Sequence, residues 1–272
     1  MPNIKAVFSD IDGTLLDSNH QISTELQETI QTITNKGTPF ILVSGRMPSG
    51  IFMLQEILNI QTPIICYSGA LIMQRDHNAS EVKTIHSFNL ATNDAQELYK
   101  DISNFNQTIS FNICSYDNWF VDDLQNPWVK RDQAISKMTP QKVDFASFLE
   151  GDCIIHKVMC IGNPEDINEL EAHLKKTFSH LSIFKSQASY LEIMTGGVSK
   201  ATAIKQLEKM YNITRDNIMA IGDNFNDMDM LSYAGLGIAM GNAPEEVKVV
   251  ANETTASNDE GGLNQALLKY VK

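Results

Sequence analysis

Two carboxylates spaced two residues apart, Asp10 and Asp12, follow the apolar run Ile4–Phe8 and precede Gly13-Thr14. In extended chain, side chains at i and i+2 point the same way. Both acids therefore leave one strand end together, and Gly13 permits a sharp turn there. Ligands of open α/β sheets bind at that edge. A Ca²⁺ loop of the D-x-D-x-D-G kind would need Gly one residue later than it stands, so that reading fails. The plainer alternative is a pair of turn-forming Asp residues.

Three further clusters stand at comparable places. Val43-Ser44-Gly45-Arg46 ends a second apolar run. A hydroxyl and free backbone N–H groups at a strand end can hold phosphate oxygens, although Ser-Gly is also ordinary turn chemistry. Gly196-Gly197-Val198-Ser199-Lys200 opens a helix. A lysine in a helix's first turn opposes the dipole, so either solvent or a nearby phosphate or carboxylate pair must favour its charge. Gly222-Asp223-Asn224-Phe225-Asn226-Asp227 follows the predicted strand Asn217–Ile221. It lacks the Glu that an EF-hand carries twelve residues on, yet its oxygens suit a hard cation such as Mg²⁺. Helix capping by Asp223 or Asn224 is the alternative.

The elements that must position these residues are legible as a βα rhythm. Strands at Ile4–Phe8, Pro39–Val43 and Pro63–Tyr67 alternate with helices over 23–36, ended by Gly37, and over Ile51–Leu58, with Pro48 near its start. That order predicts a parallel sheet with right-handed crossovers. The middle differs. Ile109, Phe111 and Ile113 alternate with Ser110, Asn112 and Cys114, which predicts a strand with one wet face in an antiparallel sheet. A hairpin at Asp117-Asn118 leads to Trp119–Val121, and Asn163-Pro164 opens a helix. Strands at Leu181–Phe184 and Tyr190–Met194 follow. The rhythm returns with a helix at Lys200–Met210, a strand at Asn217–Ile221, a helix at Met228–Tyr233, a strand at Leu236–Met240 and a helix at Leu263–Val271. The predicted fold is α/β: a Rossmann-like parallel-sheet core over 1–83 and 191–272, interrupted by an α+β domain over 84–190. All four clusters fall at strand ends or helix starts of the core and can converge on one edge.

Composition bounds the function. The chain has 272 residues, 43% hydrophobic and 20% charged, as in ordinary globular proteins, and a net charge of −12. Such a surface repels nucleic-acid backbones, so no nucleic-acid partner is expected. An anionic substrate would need local Lys, Arg or metal to overcome the field. The four cysteines form no C-x-x-C pair and read as structural thiols. No apolar run is long enough to span a membrane, and the polar start MPNIKAVFSDIDGT does not resemble a signal peptide. A cytoplasmic location is expected. Oligomeric state is not readable from these patterns.

Together the clusters resemble the signatures of the haloacid dehalogenase-like superfamily, in particular its Cof-type phosphatases. D-x-D-G-T (10–14), S-G-R (44–46), V-S-K (198–200) and G-D-x-x-N-D-x-x-M (222–230) occur in family order, and the likeness spans the chain, including a large α/β cap. The resemblance implies a Mg²⁺-dependent phosphomonoesterase acting on a small phosphorylated metabolite, a sugar phosphate foremost. Asp10 would be the nucleophile that forms an aspartyl-phosphate, and Asp12 the general acid and then base. Ser44, with Gly45 and Arg46, would bind phosphate, Lys200 would bind phosphate and Asp10, and Asn226 would contact phosphate or metal. Asp223, Asp10 and the Asp12 carbonyl would hold the metal, with Asp227 in support. The 84–190 cap would read the substrate; Tyr116, Asn118 and Trp119 at the hairpin tip are candidates, unless Trp119 packs inward. The family often has Asn-Gly after its third strand, where this chain has Ser68-Gly69, whose hydroxyl has a shorter reach. A phosphomutase of the same superfamily, or a non-catalytic phosphometabolite-binding protein, are the alternatives.

Overall fold

The computed structural model describes residues 2–75 and 81–271. The chain forms two compact units, one from 1–86 and 199–272, the other from 87–198. The first opens with β1 (Ala6–Ser9), α1 (Thr24–Asn35), β2 (Phe40–Val43), α2 (Pro48–Leu58), β3 (Ile64–Cys66), β4 (Leu71–Arg75) and β5 (Val82–Ser87). The second holds α3 (Thr92–Phe105), β6 (Ser110–Ser115), β7 (Asn118–Val121), α4 (Pro127–Ser136), β8 (Gln141–Lys142), α5 (Phe145–Phe148), β9 (Lys157–Ile161), α6 (Pro164–Thr177), β10 (Ser182–Gln187) and β11 (Tyr190–Met194). The first resumes with α7 (Lys200–Tyr211), β12 (Ile218–Gly222), α8 (Met228–Tyr233), β13 (Leu236–Ala239), α9 (Glu245–Val250), β14 (Glu253–Thr254) and α10 (Gly262–Tyr270).

The first unit is built on an eight-stranded sheet in the order β14-β13-β12-β1-β2-β3-β4-β5. Its central pairings are parallel, and β4 pairs antiparallel with β3. β1 and β2 are wholly buried and, apart from Ser9 at the end of β1, apolar, as strands covered on both sides must be. Full burial of one side chain such as Phe8 is worth about 1.5–3 kcal/mol. α1 starts where the Ser23 hydroxyl accepts the Leu26 N–H, and it buries Leu26, Ile30 and Ile33 at helical spacing.

The second unit is a six-stranded sheet in the order β10-β11-β9-β6-β7-β8, antiparallel except between β7 and β8. One face packs Phe111, Ile113, Val158, Cys160, Leu191 and Ile193 against Leu98 and Ile102 of α3 and Ile167, Leu170 and Leu174 of α6. β11 belongs here because it pairs with both β9 and β10. The boundary therefore falls after Val198, and residues 191–198 are not part of the parallel-sheet core as the sequence pattern placed them.

Two local expectations are also revised. The polar face of β6 is dry: Ser110 and Asn112 are buried. Asn112 donates to the Met159 carbonyl and accepts from the Trp119 indole N–H, so its polar atoms are satisfied without water. The hairpin turns at Tyr116-Asp117, with Ser115 opposite Asn118. Trp119 is consequently buried, not displayed at a tip. No disulfide joins Cys66, Cys114, Cys153 and Cys160. Among the described residues no helix is long and apolar enough to cross a membrane.

Candidate active site

β1 lies between β12 and β2, and Ser9 is level with Ile221 on one side and Leu42 on the other. The chain winds outward in opposite directions from this strand, which opens a crevice at the carboxyl ends. The turns after β1, β2 and β12 therefore emerge side by side, and they carry Asp10–Thr14, Ser44–Arg46 and Asp223–Asp227.

Lys200 joins two of these turns. Its ammonium is buried and lies 2.6 Å from Asp10 Oδ1 and 2.5 Å from Asp227 Oδ1. α7 presents it from a well-capped start. The Ser199 hydroxyl accepts the Thr202 N–H, the Thr202 hydroxyl accepts the Ser199 N–H, and Asp229 Oδ2 accepts the Ala201 N–H at 2.9 Å. Asp223 is fastened to the first turn by the Thr14 hydroxyl, which donates to its Oδ1 at 3.0 Å. Gly13 makes this approach possible. Its φ is +85°, and a Cβ there would stand 2.4 Å from Asp223 Oδ2.

The charges do not balance. Carboxylate oxygens of Asp10, Asp223 and Asp227 lie within 4.8 Å of one another, with one buried ammonium among them. Burial raises the Asp10 carboxyl well above its ordinary value; Lys200 opposes this, while Asp227 and Asp223 add to it. Burial, helped by Asp227, lifts Asp223 to about 6. Burial alone would depress Lys200, but Asp10 and Asp227 outweigh it and raise it. Clustered hard oxygens with uncompensated charge fit a divalent cation. Asp10 and Asp223 are the residues with oxygen to offer it. Asp227 is otherwise engaged: Oδ1 meets Lys200, and Oδ2 accepts the N–H groups of Asp223 and Asn224 at 3.0 and 2.9 Å.

The remaining expected residues divide. Ser44 is buried, and its hydroxyl accepts the Arg46 N–H at 3.2 Å beside Gly45. Arg46 engages Asp12. Its guanidinium holds Asp12 in a two-pronged pair, Nε to Oδ2 at 2.8 Å and a terminal nitrogen to Oδ1 at 2.5 Å. This pair is partly exposed, at 33% for Arg46 and 49% for Asp12. Asn226 is half-buried in the turn Phe225–Asp227. Three contributors lay outside the sequence reading. Thr14 and Asp229 stand within or beside the quoted motifs. Asn242 had no signal at all; from the loop after β13 it donates to the Gly13 carbonyl at 2.9 Å and approaches Asp223 Oδ2 at 3.4 Å.

Known proteins agree with this architecture. The family profile of haloacid dehalogenase-like hydrolases matches residues 7–267. A Haemophilus influenzae protein named as a phosphatase is 36% identical over 259 residues, 95% of each chain. A 5-amino-6-(5-phospho-D-ribitylamino)uracil phosphatase of Bacillus subtilis is 28% identical over 270 residues, 99% of this chain and 96% of that one. The crystal structure of a haloacid dehalogenase-like hydrolase from Bacteroides thetaiotaomicron superposes with a TM-score of 0.84 at 28% identity, over 98% of this chain and 99% of the other. With those likenesses running nearly end to end, the chain belongs to the haloacid dehalogenase-like hydrolases.

Proposed function

We propose that this chain hydrolyses phosphomonoesters of small metabolites, sugar phosphates or sugar-alcohol phosphates foremost, through an aspartyl-phosphate on Asp10 and with Mg²⁺ as cofactor. The observation that carries the reading is the Asp10 carboxylate itself. It is buried at a strand end with one oxygen on Lys200, and no hydrogen bond reaches its Oδ2 among the described residues. A fixed carboxylate with a free lone pair is a nucleophile in waiting. The preference for a polyol phosphate rests on the Bacillus subtilis relative, whose name specifies a phosphorylated ribityl compound.

The residues then divide the work. Asp10 Oδ2 attacks phosphorus, and the bond from phosphorus to the leaving oxygen breaks as Asp12 gives that oxygen a proton. Asp12 must carry the proton at that moment, so its two-pronged contact with Arg46 has to open first. In the second half, Asp12 takes a proton from water, the water oxygen attacks phosphorus, and Asp10 leaves with its own oxygen. Lys200 holds Asp10 in its attacking orientation and offsets phosphoryl charge. Ser44 and Asn226 are assigned to the phosphoryl oxygens. Mg²⁺ held by Asp10, Asp223 and the Asp12 carbonyl would neutralise the approach of one anion to another. Substrate selection is assigned to the inserted unit.

The reading is tested by phosphate release from a panel of sugar phosphates, polyol phosphates and an aryl phosphate, with Mg²⁺ and with excess chelator. Turnover that needs Mg²⁺ and favours polyol or sugar esters supports it. Undiminished turnover in chelator overturns the metal assignment, and no release from any ester overturns the reading.

A further inference from the structure

The turn after β3 carries a buried hydroxyl with no partner. Ser68 is 2% exposed, and its Oγ makes no hydrogen bond. Leaving a buried polar group unpaired is costly, and folded proteins rarely do so without a use for the group. The backbone around it is also held against preference. Tyr67 and Ser68 both sit at φ +51°, a left-handed conformation that neither residue type favours.

The place of this turn says what the hydroxyl is for. The Ser68 N–H donates to the Ser44 carbonyl at 2.9 Å, and the Tyr67 N–H donates to the Arg46 carbonyl at 3.3 Å. On its other side, Gly69 lies so close to α7 that a Cβ would stand 2.2 Å from the Ser199 carbonyl oxygen. Ser68 is thus wedged between the turn that offers the Ser44 hydroxyl and the helix start that offers Lys200. We infer that the Ser68 hydroxyl is a further phosphate-binding group, donating to an oxygen of the bound phosphoryl group and unpaired only when that group is absent. This rests on the phosphatase reading for its ligand, and on the orphaned hydroxyl and the two bracketing contacts for its position.

Ser68→Ala isolates the hydroxyl, because Ala meets the same backbone conformation. The measurement is inorganic phosphate affinity by calorimetry in Mg²⁺ buffer, together with the melting temperature of the free protein. A lost hydrogen bond to a charged acceptor weakens phosphate binding by roughly tenfold or more. Meanwhile the free protein should melt at or above the wild-type temperature, since an unpaired buried group has been removed. Ser68→Gly, which suits a positive φ, should show the same loss of affinity and guards against misfolding. Phosphate affinity within twofold of wild type in both variants overturns the inference. So does a lowered melting temperature with unchanged affinity, which would mean a structural role. A wild-type protein that binds phosphate but hydrolyses no ester would overturn the phosphatase reading and leave Ser68 supported by the binding arm. A wild-type protein that binds no phosphate would overturn the Ser68 assignment too.

Discussion

A lysine in the first turn of a helix works against the dipole, and burying its ammonium costs more still. Lys200 tolerates both because Asp10 and Asp227 each stand within hydrogen-bond reach. The dipole conflict was visible in the sequence, and the family resemblance implied that Lys200 meets Asp10 across 190 positions; its second partner, Asp227, was not foreseen. Arg46 shows the opposite limit. Its motif suggested phosphate and gave no sign of the planar fork in which its guanidinium meets the Asp12 carboxylate. Asp12 carries the sharpest prediction at this scale. Asp12→Ala should slow hydrolysis of an alkyl phosphate much more than that of an aryl phosphate, about tenfold or more in the ratio of kcat/KM, because a good leaving group needs little protonation. Equal losses on both substrates would remove Asp12 from the acid role.

Among the elements, buried strands and capped helices were the most legible. β1, β2 and α1 announce themselves by an unbroken apolar run or by apolar residues three and four apart. β6 was only half legible, because alternation reports polarity and not water. Its polar side chains turned out to be paired within the unit. His156 went unnoticed for the same reason. Its Nδ1 accepts the Tyr116 N–H at 3.0 Å, so Nε2 carries the proton and donates to Ser87 Oγ, 3.0 Å away. Tyr116 also packs edge-on against the ring, with centroids 4.7 Å apart. Burial pushes the His156 pKa down to about 4. An unfolded histidine titrates near 6.5, so between these values the unfolded chain binds the extra proton. Stability should fall as pH drops from about 6.5 to about 4, by up to about 3 kcal/mol from this group. His156→Asn keeps an acceptor and removes the titration. Denaturant melts of the two proteins should converge as pH falls from 7 to 4. Parallel curves would show that His156 does not carry this linkage.

At the scale of the whole molecule, the discontinuous core was legible because the βα rhythm stops and restarts. The second boundary was not, because Tyr190–Met194 reads as a strand in either unit and only its partners, β9 and β10, reveal where it belongs. Net charge also acts at this scale. A chain of charge −12 that accepts an anionic ester must concentrate its cations, and Lys200, together with a divalent cation that Asp10 and Asp223 would hold, is proposed for that task. The central claim is that phosphorus becomes covalently attached to Asp10 during turnover. The direct measurement is acid quench of wild-type enzyme turning over a phosphomonoester with Mg²⁺, followed by mass spectrometry of its peptides. The account predicts a phosphoryl group on the peptide holding Asp10, and none in Asp10→Asn, whose turnover should fall roughly 10³-fold or more. An unmodified Asp10 peptide in a quenched enzyme that is releasing phosphate, with Asp10→Asn turning over at near wild-type rate, would contradict it.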